Sequence, residues 1–149
     1  MTIEEVISSE MERLIKELKE SHERLGMKAT GAWIDSLRYE INGDTASISA
    51  KGYTEQLVQG REGGKRPPID PLEKWVNAKF GIQGKEARSI AFAVANKIAA
   101  SGTTWYEKGG SDLLEKVFTK ENLDRVTTRV GFVVNQTVTE SLIRQLQIA

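Results

Sequence analysis

Apolar positions recur along the first 25 residues with the period of a helix. Ile3, Ile7, Met11, Leu14, Leu18 and Leu25 are spaced by 4, 4, 3, 4 and 7 residues, and Val6 and Ile15 widen the stripe. Thr2 followed by Glu5 fits a capping box, and Gly26 is a natural stop. The other face carries Glu, Lys and Arg and is expected to be solvated. His22 falls near the end of the stripe and reads as a partly buried or edge side chain. With no second His in the chain, it has no partner with which to share a metal. Trp33 and Leu37 form an i,i+4 pair, which predicts a short helix within 28–37.

The period then changes to two. Leu37, Tyr39 and Ile41 alternate with polar residues, Asn42-Gly43-Asp44 is a turn, and Ala46, Ile48 and Ala50 alternate in turn. This predicts a hairpin with one face on the helices. Two strands alone are marginal, so helix cover or a partner strand is required. Tyr53, Leu57 and Val58 predict a helical turn ending at Gly60, and residues 61–68 form a Gly/Pro-rich loop. Asp70 as N-cap and Pro71 at the first helical position predict a helix with Leu72, Trp75, Val76 and Phe80 as its buried stripe. Residues 85–101 predict a central helix packed on two sides, with Ile90, Val94 and Ile98 on one line and Ala87, Ala91 and Ala95 on another.

Residues 103–111 read as a second loop, with Ser111 or Asp112 capping a short amphipathic turn of Leu113, Leu114, Val117 and Phe118. A last helix is expected over about 121–146, with Leu123, Val126, Val130, Val133, Val134, Val138, Leu142, Ile143 and Leu146 on its apolar side. Its Val and Thr content lowers helix propensity and leaves a strand within 126–138 as an alternative. The expected fold class is α+β, amphipathic helices packed on a small antiparallel sheet. One domain of 149 residues is expected, comprising an N-terminal helix (1–26), a core (27–104) and a loop with a C-terminal helix (105–149).

Composition narrows the chemistry. Hydrophobic residues make up 39% and charged residues 28%, which supports one core and argues against a disordered chain. Lys and Arg total 21 and Asp and Glu total 21, so a dedicated duplex-DNA binder is disfavoured. Charge is spread almost evenly: −3 over residues 1–40, +2 over 41–88 and +1 over 89–149. With no cysteine there is no disulfide framework or thiolate metal site. Apolar runs are far shorter than the ~20 residues that span a bilayer, and the acidic start is unlike a signal peptide. No membrane association and no signal-peptide export are expected.

No catalytic constellation, cofactor motif or metal site emerges. Gly60-Arg61-Glu62-Gly63-Gly64-Lys65 has three residues before the Gly-Lys pair where a phosphate loop has four, and Arg66 stands where that loop needs Ser or Thr. The candidate interaction residues are therefore Arg61, Lys65 and Arg66 in a basic loop bracketed by Gly60 and Pro67-Pro68. They read either as a solvated loop or as a finger for an acidic partner or DNA backbone. Trp105 and Tyr106, in a Gly/Thr-rich loop, read either as a core anchor or as a subunit contact.

Taken in order, several elements resemble a known family. They are Thr30-Gly31, Ser36-Leu37, Tyr53, Leu57, Gly60-Arg61, Gly64-Lys65, Pro67-Pro68-Ile69, Leu72, Trp75, Ala87-Arg88-Ser89-Ile90-Ala91-Phe92, Ile98 and Gly102-Thr103. The ordered set, over about residues 30–104, is similar to the tail-completion or head–tail joining proteins of tailed bacteriophages. The resemblance implies a small α+β structural virion protein without catalytic activity or cofactor, assembled in the host cytoplasm. It implies a homo-oligomeric ring, hexamer or dodecamer, at the phage neck, with portal, other neck and tail proteins as partners and transient contact with translocating DNA. The first helix's stripe and the Trp105-Tyr106 loop would be the apolar ring contacts, and the basic loop would face the lumen or the adjoining ring. The alternative is a small nucleic-acid-associated or regulatory binding module that uses loop 60–68.

Overall fold

The computed structural model describes residues 1–148; Ala149, the last residue of the expected C-terminal segment, lies outside them. Seven helices and one hairpin follow in the order α1 (Ile3–Arg24), α2 (Ala32–Ser36), β1 (Arg38–Asn42), β2 (Thr45–Ser49), α3 (Thr54–Gln59), α4 (Ile69–Phe80), α5 (Gly84–Ser101), α6 (Thr104–Glu107) and α7 (Lys120–Ile148). The fold is α+β, with helices packed on a two-stranded antiparallel sheet.

The N-terminus of α1 is closed as expected, by a reciprocal Thr2–Glu5 capping box. In the hairpin, Asn42 pairs with Thr45, leaving Gly43-Asp44 as the two-residue loop. Gly43 takes φ 62, which the first central position of a tight hairpin turn requires. Tyr39 and Ile48 are cross-strand partners and pack with Ala50 against the principal core, whereas Ala46 is exposed.

That core joins Met11, Leu14 and Leu18 of α1 to Trp33, Leu37, Leu113 and Val117. Leu113 and Val117, from the turn before α7, are among its most enclosed side chains. Ser111 does not cap this turn. Its N–H donates to Val58 O (2.6 Å) and its hydroxyl to Leu57 O (2.6 Å), so it satisfies the end of α3 instead.

A second, smaller core lies between α4 and α5. Here the residues buried deepest are Val76, Ala87 and Ala91, not the bulkier Ile90–Val94 line, which is half-buried. Small side chains bring the two helix backbones close, and that approach uses the alanine face. With α4 on that face and Phe92 38% exposed on another, α5 is not covered on two sides. Phe80 is 57% exposed beside the Gly81 C-cap and meets Trp75 edge-on at 5.5 Å. Helix α4 starts earlier than expected, with Pro68 as N-cap. Asp70 and Pro71 thus fall within the first turn, where the N–H that proline lacks would have no helical partner.

Residues 126–138 are helical, which removes the strand alternative. Helices α1 and α7 run antiparallel and are joined by a buried charge cluster on a face expected to be solvated. Glu10 has no exposed surface. Its Oε2 accepts from Arg13 Nε (3.0 Å) and Nη2 (2.8 Å), its Oε1 from Arg129, and Arg125 Nε lies 3.7 Å away. Asn122 bonds both Arg13 and Glu17 (3.1 and 2.7 Å). Burial alone would raise the Glu10 pKa, but the hydrogen bonds from Arg13 and Arg129 outweigh it and hold the carboxyl below its usual value.

His22 is buried, more deeply than an edge position would allow. Its ring stacks on Trp33 at 4.8 Å, Nδ1 has no hydrogen-bond partner, and Trp33 Nε1 donates to Thr54 Oγ1 (2.8 Å). Burial lowers its pKa; Glu23 opposes this, and Lys79 and Lys28 add to it.

Two stability measurements check these assignments. Glu10→Gln should cost roughly 2–3 kcal/mol in denaturant titration, because it leaves Arg13 with Glu17 alone and Arg125 and Arg129 without their carboxylate, while these last two partly resolvate. The lowered Glu10 pKa means its contribution is complete above about pH 4.5 and is lost as pH falls through the folded value. His22 acts at higher pH. Its folded pKa lies below 6.5, so the unfolded chain takes the proton first and stability falls as pH drops below about 6.5. His22→Phe keeps a ring on Trp33 and should flatten that part of the pH–stability curve, whose slope is at most ~1.4 kcal/mol per pH unit.

Candidate functional site

The basic loop is not a free finger at its start. Gly60 and Arg61 leave α3 directly against the junction between α5 and α6. Arg61 N–H donates to Thr103 Oγ1 (2.9 Å), and Thr103 N–H returns a bond to Arg61 O (2.9 Å). Gly64 N–H donates to Ala99 O (2.7 Å), in the last turn of α5.

Two glycines make this approach possible. Gly60 has φ 81, and a Cβ there would lie 2.6 Å from Tyr106 Cα. Gly102 has φ 80, and a Cβ there would lie 2.6 Å from Arg61 O and 2.8 Å from Tyr106 Cδ1. Both positions therefore exclude a side chain by conformation and by space. The backbone of 60–64 is therefore structural, more than the solvated loop or finger that the sequence suggests.

The side chains behave differently from their backbone. Lys65 and Arg66 are exposed and Arg61 is half-buried, while Pro67 is buried and anchors the exit. Arg66 lies over the Phe92 ring at 5.9 Å and Arg88 over it at 5.6 Å. Arg88 also pairs with Glu73 (3.1 Å) and Asp70 (3.4 Å), which ties α5 to the start of α4. Phe92 was not singled out by sequence reasoning. The signal for it was its place outside the Ala87–Ala91–Ala95 line, a position a helix does not need for packing on α4.

The structure brings the two predicted sites together. Residues 104–107, expected to be loop, form the one-turn helix α6, whose N-cap Thr103 accepts from Tyr106 N–H. Tyr106, 43% exposed, packs its backbone against Gly60 and its ring edge against Gly102. Trp105 is half-buried, with Lys108 Nζ 5.3 Å from its ring centroid. Arg61 and Tyr106 therefore share one rim, and Lys65, Arg66 and Phe92 continue it along α5. The other expected contact patch, the α1 stripe, is consumed within the chain: Val6, Met11, Leu14 and Leu18 are all buried.

Among the described residues no group of three or more His, Cys, Asp or Glu side chains is arranged to hold a metal ion, and no helix is long and apolar enough to cross a membrane. One open surface hollow of about 480 Å³ is lined by Thr2 and by polar residues of the first turns of α1. Comparison with family models, curated proteins and solved structures returns no match.

The split between backbone and side chains is testable. Gly60→Ala should destabilise the fold by about 1–3 kcal/mol or more, through strain at a glycine-only conformation and collision with Tyr106. Replacing Arg61, Lys65 and Arg66 together by Ser should cost no more than ~1 kcal/mol, since their charges are solvent-screened. Thermal melts of the two variants check the order of the effects.

Proposed function

We propose that this protein is a structural assembly component, one subunit of a homo-oligomeric ring in the head–tail connector of a tailed phage, joining the portal to the tail. The observation that carries this reading is the junction of Gly60-Arg61 with Gly102-Thr103. These dipeptides belong to the ordered set that resembles tail-completion proteins, yet they lie about 40 residues apart. In the fold they meet backbone to backbone, through reciprocal bonds and at glycines that leave no room for Cβ. Two separated parts of the resembling stretch thus meet at one junction, beside which its basic and aromatic side chains lie.

A ring subunit needs two different surfaces that meet around an axis. The rim with Tyr106, Lys65, Arg66 and Phe92 supplies one. Repeated around a ring, its cations form a positive belt that attracts an acidic neighbouring surface or passing DNA, with the salt dependence of screened charges. Virion localisation at the neck is part of this reading.

A second reading, a nucleic-acid-associated module, is favoured by one specific feature. Arg66 and Arg88 flank the ring of Phe92, and this aromatic–cation arrangement suits a stacked base beside phosphate.

Negative-stain imaging of the purified protein, alone and mixed with a portal, separates the two. Rings seated on the portal, lost in the Arg61/Lys65/Arg66→Ser variant with its melting curve retained, are the expected result. Salt-sensitive DNA binding by the isolated chain with no portal-bound ring would instead favour the second reading.

A further inference from the structure

The second half of α7 lies outside both cores. The contacts of Glu17 and Arg13 with Asn122, and of Glu10 with Arg125 and Arg129, set the register of α7 on α1. Continued at 1.5 Å per residue, that register places the start of α1 near residue 134 of α7. Helix α7 runs on to Ile148, an overhang of roughly 21 Å. Every residue from Val134 to Gln147 is exposed.

The overhang is nevertheless not a solvated helix. Val138, Leu142, Ile143 and Leu146 are 52, 55, 49 and 77% exposed, and Phe132 at its root is 70% exposed. At about 100° per residue these positions do not continue the packed face of Val126, Val130 and Val133. That face continues instead as Thr137, Glu140, Ser141 and Arg144, which are polar. The apolar stripe has moved to nearly the opposite side and spreads over about 180°, from Val134 round to Ile143. Glu140 and Arg144 are the only ionised side chains from 131 to 147, and they pair with each other on the polar side (3.9 Å). The outward stripe is uncharged; Asn135, Thr139 and Gln145 fall within it as neutral polar positions, and Gln136 and Gln147 border it.

We propose that this arm is a self-association element, and that its occupant is the same arm of neighbouring copies, parallel and closed around a cyclic axis. The width of the stripe decides against a simple pair. One facing helix covers a narrow seam, so a two-fold pair would leave much of the 180° stripe wet, whereas a helix in a closed bundle is covered from both sides. The area agrees. The six apolar side chains from Phe132 to Leu146 leave roughly 600 Å² per copy, at the top of the range for a monomer's largest patch. Three or more arms together bury on the order of 1,800 Å² or more, the scale of a stable interface. Identical uncharged stripes also meet without like-charge repulsion, which a symmetric contact would otherwise impose. The inference deepens the ring reading above by naming the element that closes the ring.

The test uses the full chain in sedimentation velocity from micromolar to near-millimolar concentration. The expected result is reversible growth to three or more copies. Leu142→Asp with Leu146→Asp should return the protein to monomer mass at all these concentrations, with an unchanged melting midpoint because neither side chain is buried in the subunit. Ser141→Asp, on the polar side, should leave assembly intact. Asn135→Cys, in the middle of the stripe of this cysteine-free chain, should cross-link on oxidation, because parallel arms place the same residue side by side, whereas an antiparallel pair about Leu142 would separate the sulfurs by roughly 21 Å. A monomer throughout, a dimer that grows no further, or assembly without the cross-link would each overturn the inference. Portal-bound rings that survive the Leu142→Asp/Leu146→Asp change would overturn the arm's role while leaving the ring reading standing. Closed arm-dependent oligomers that never engage a portal would do the reverse.

Discussion

A carboxylate removed from water must be met by positive charge, and Glu10 meets that requirement with groups from two ends of the chain. Arg13 comes from its own helix and Arg125 and Arg129 from α7. An apolar contact tolerates sliding by a turn of helix, because one leucine serves nearly as well as the next. A buried carboxylate does not, since a displaced α7 would leave it without counter-charge. The Glu10 cluster therefore fixes how far α7 is set along α1, and with it how much of α7 overhangs. The position of the arm is a consequence of electrostatics near its root.

The rim shows a similar separation of duties. The backbone of 60–64 and 102–106 is held by reciprocal hydrogen bonds and two side-chain-free approaches, so it behaves as framework. The side chains it displays contribute little to holding it there. A surface built in this way can change its charged groups through substitution without disturbing the fold, which suits a region that must match partners. Phe92 sits at the boundary, packed by the guanidinium groups of Arg66 and Arg88 and partly open to solvent.

Much of the fold was legible in the sequence because local rules decide it. The Thr2–Glu5 box, the period-two hairpin and the alanine line of α5 each declare themselves within a few residues. What was not legible depends on distance. Nothing near Glu10 distinguishes it from the other glutamates of α1, and only the arrival of Arg129, 119 positions later, makes it a buried residue. His22 likewise becomes a core group through Trp33. The apolar residues of α7 read as one apolar side, although the stripe changes sides near Val134 and its second half is exposed. The candidate loop was located correctly, but its backbone bonds to Thr103 and Ala99 connect residues whose proximity no local pattern encodes.

The clasp between the first and last helices also bears on the order in which the protein can be built. On a ribosome, α1 emerges well before α7, so the contacts of Glu10 must wait until α7 has been made. Leu113 and Val117, which complete the principal core, are late arrivals as well. The α4–α5 pair, joined across Gly81–Gln83, closes a short loop and can consolidate while synthesis continues. For most of that time the stripe of Met11, Leu14 and Leu18 stays uncovered, the kind of transient surface that chaperones occupy. A late helix that clasps an early one ties completion of the core to the synthesis of α7, and the arm is released only once α7 has docked.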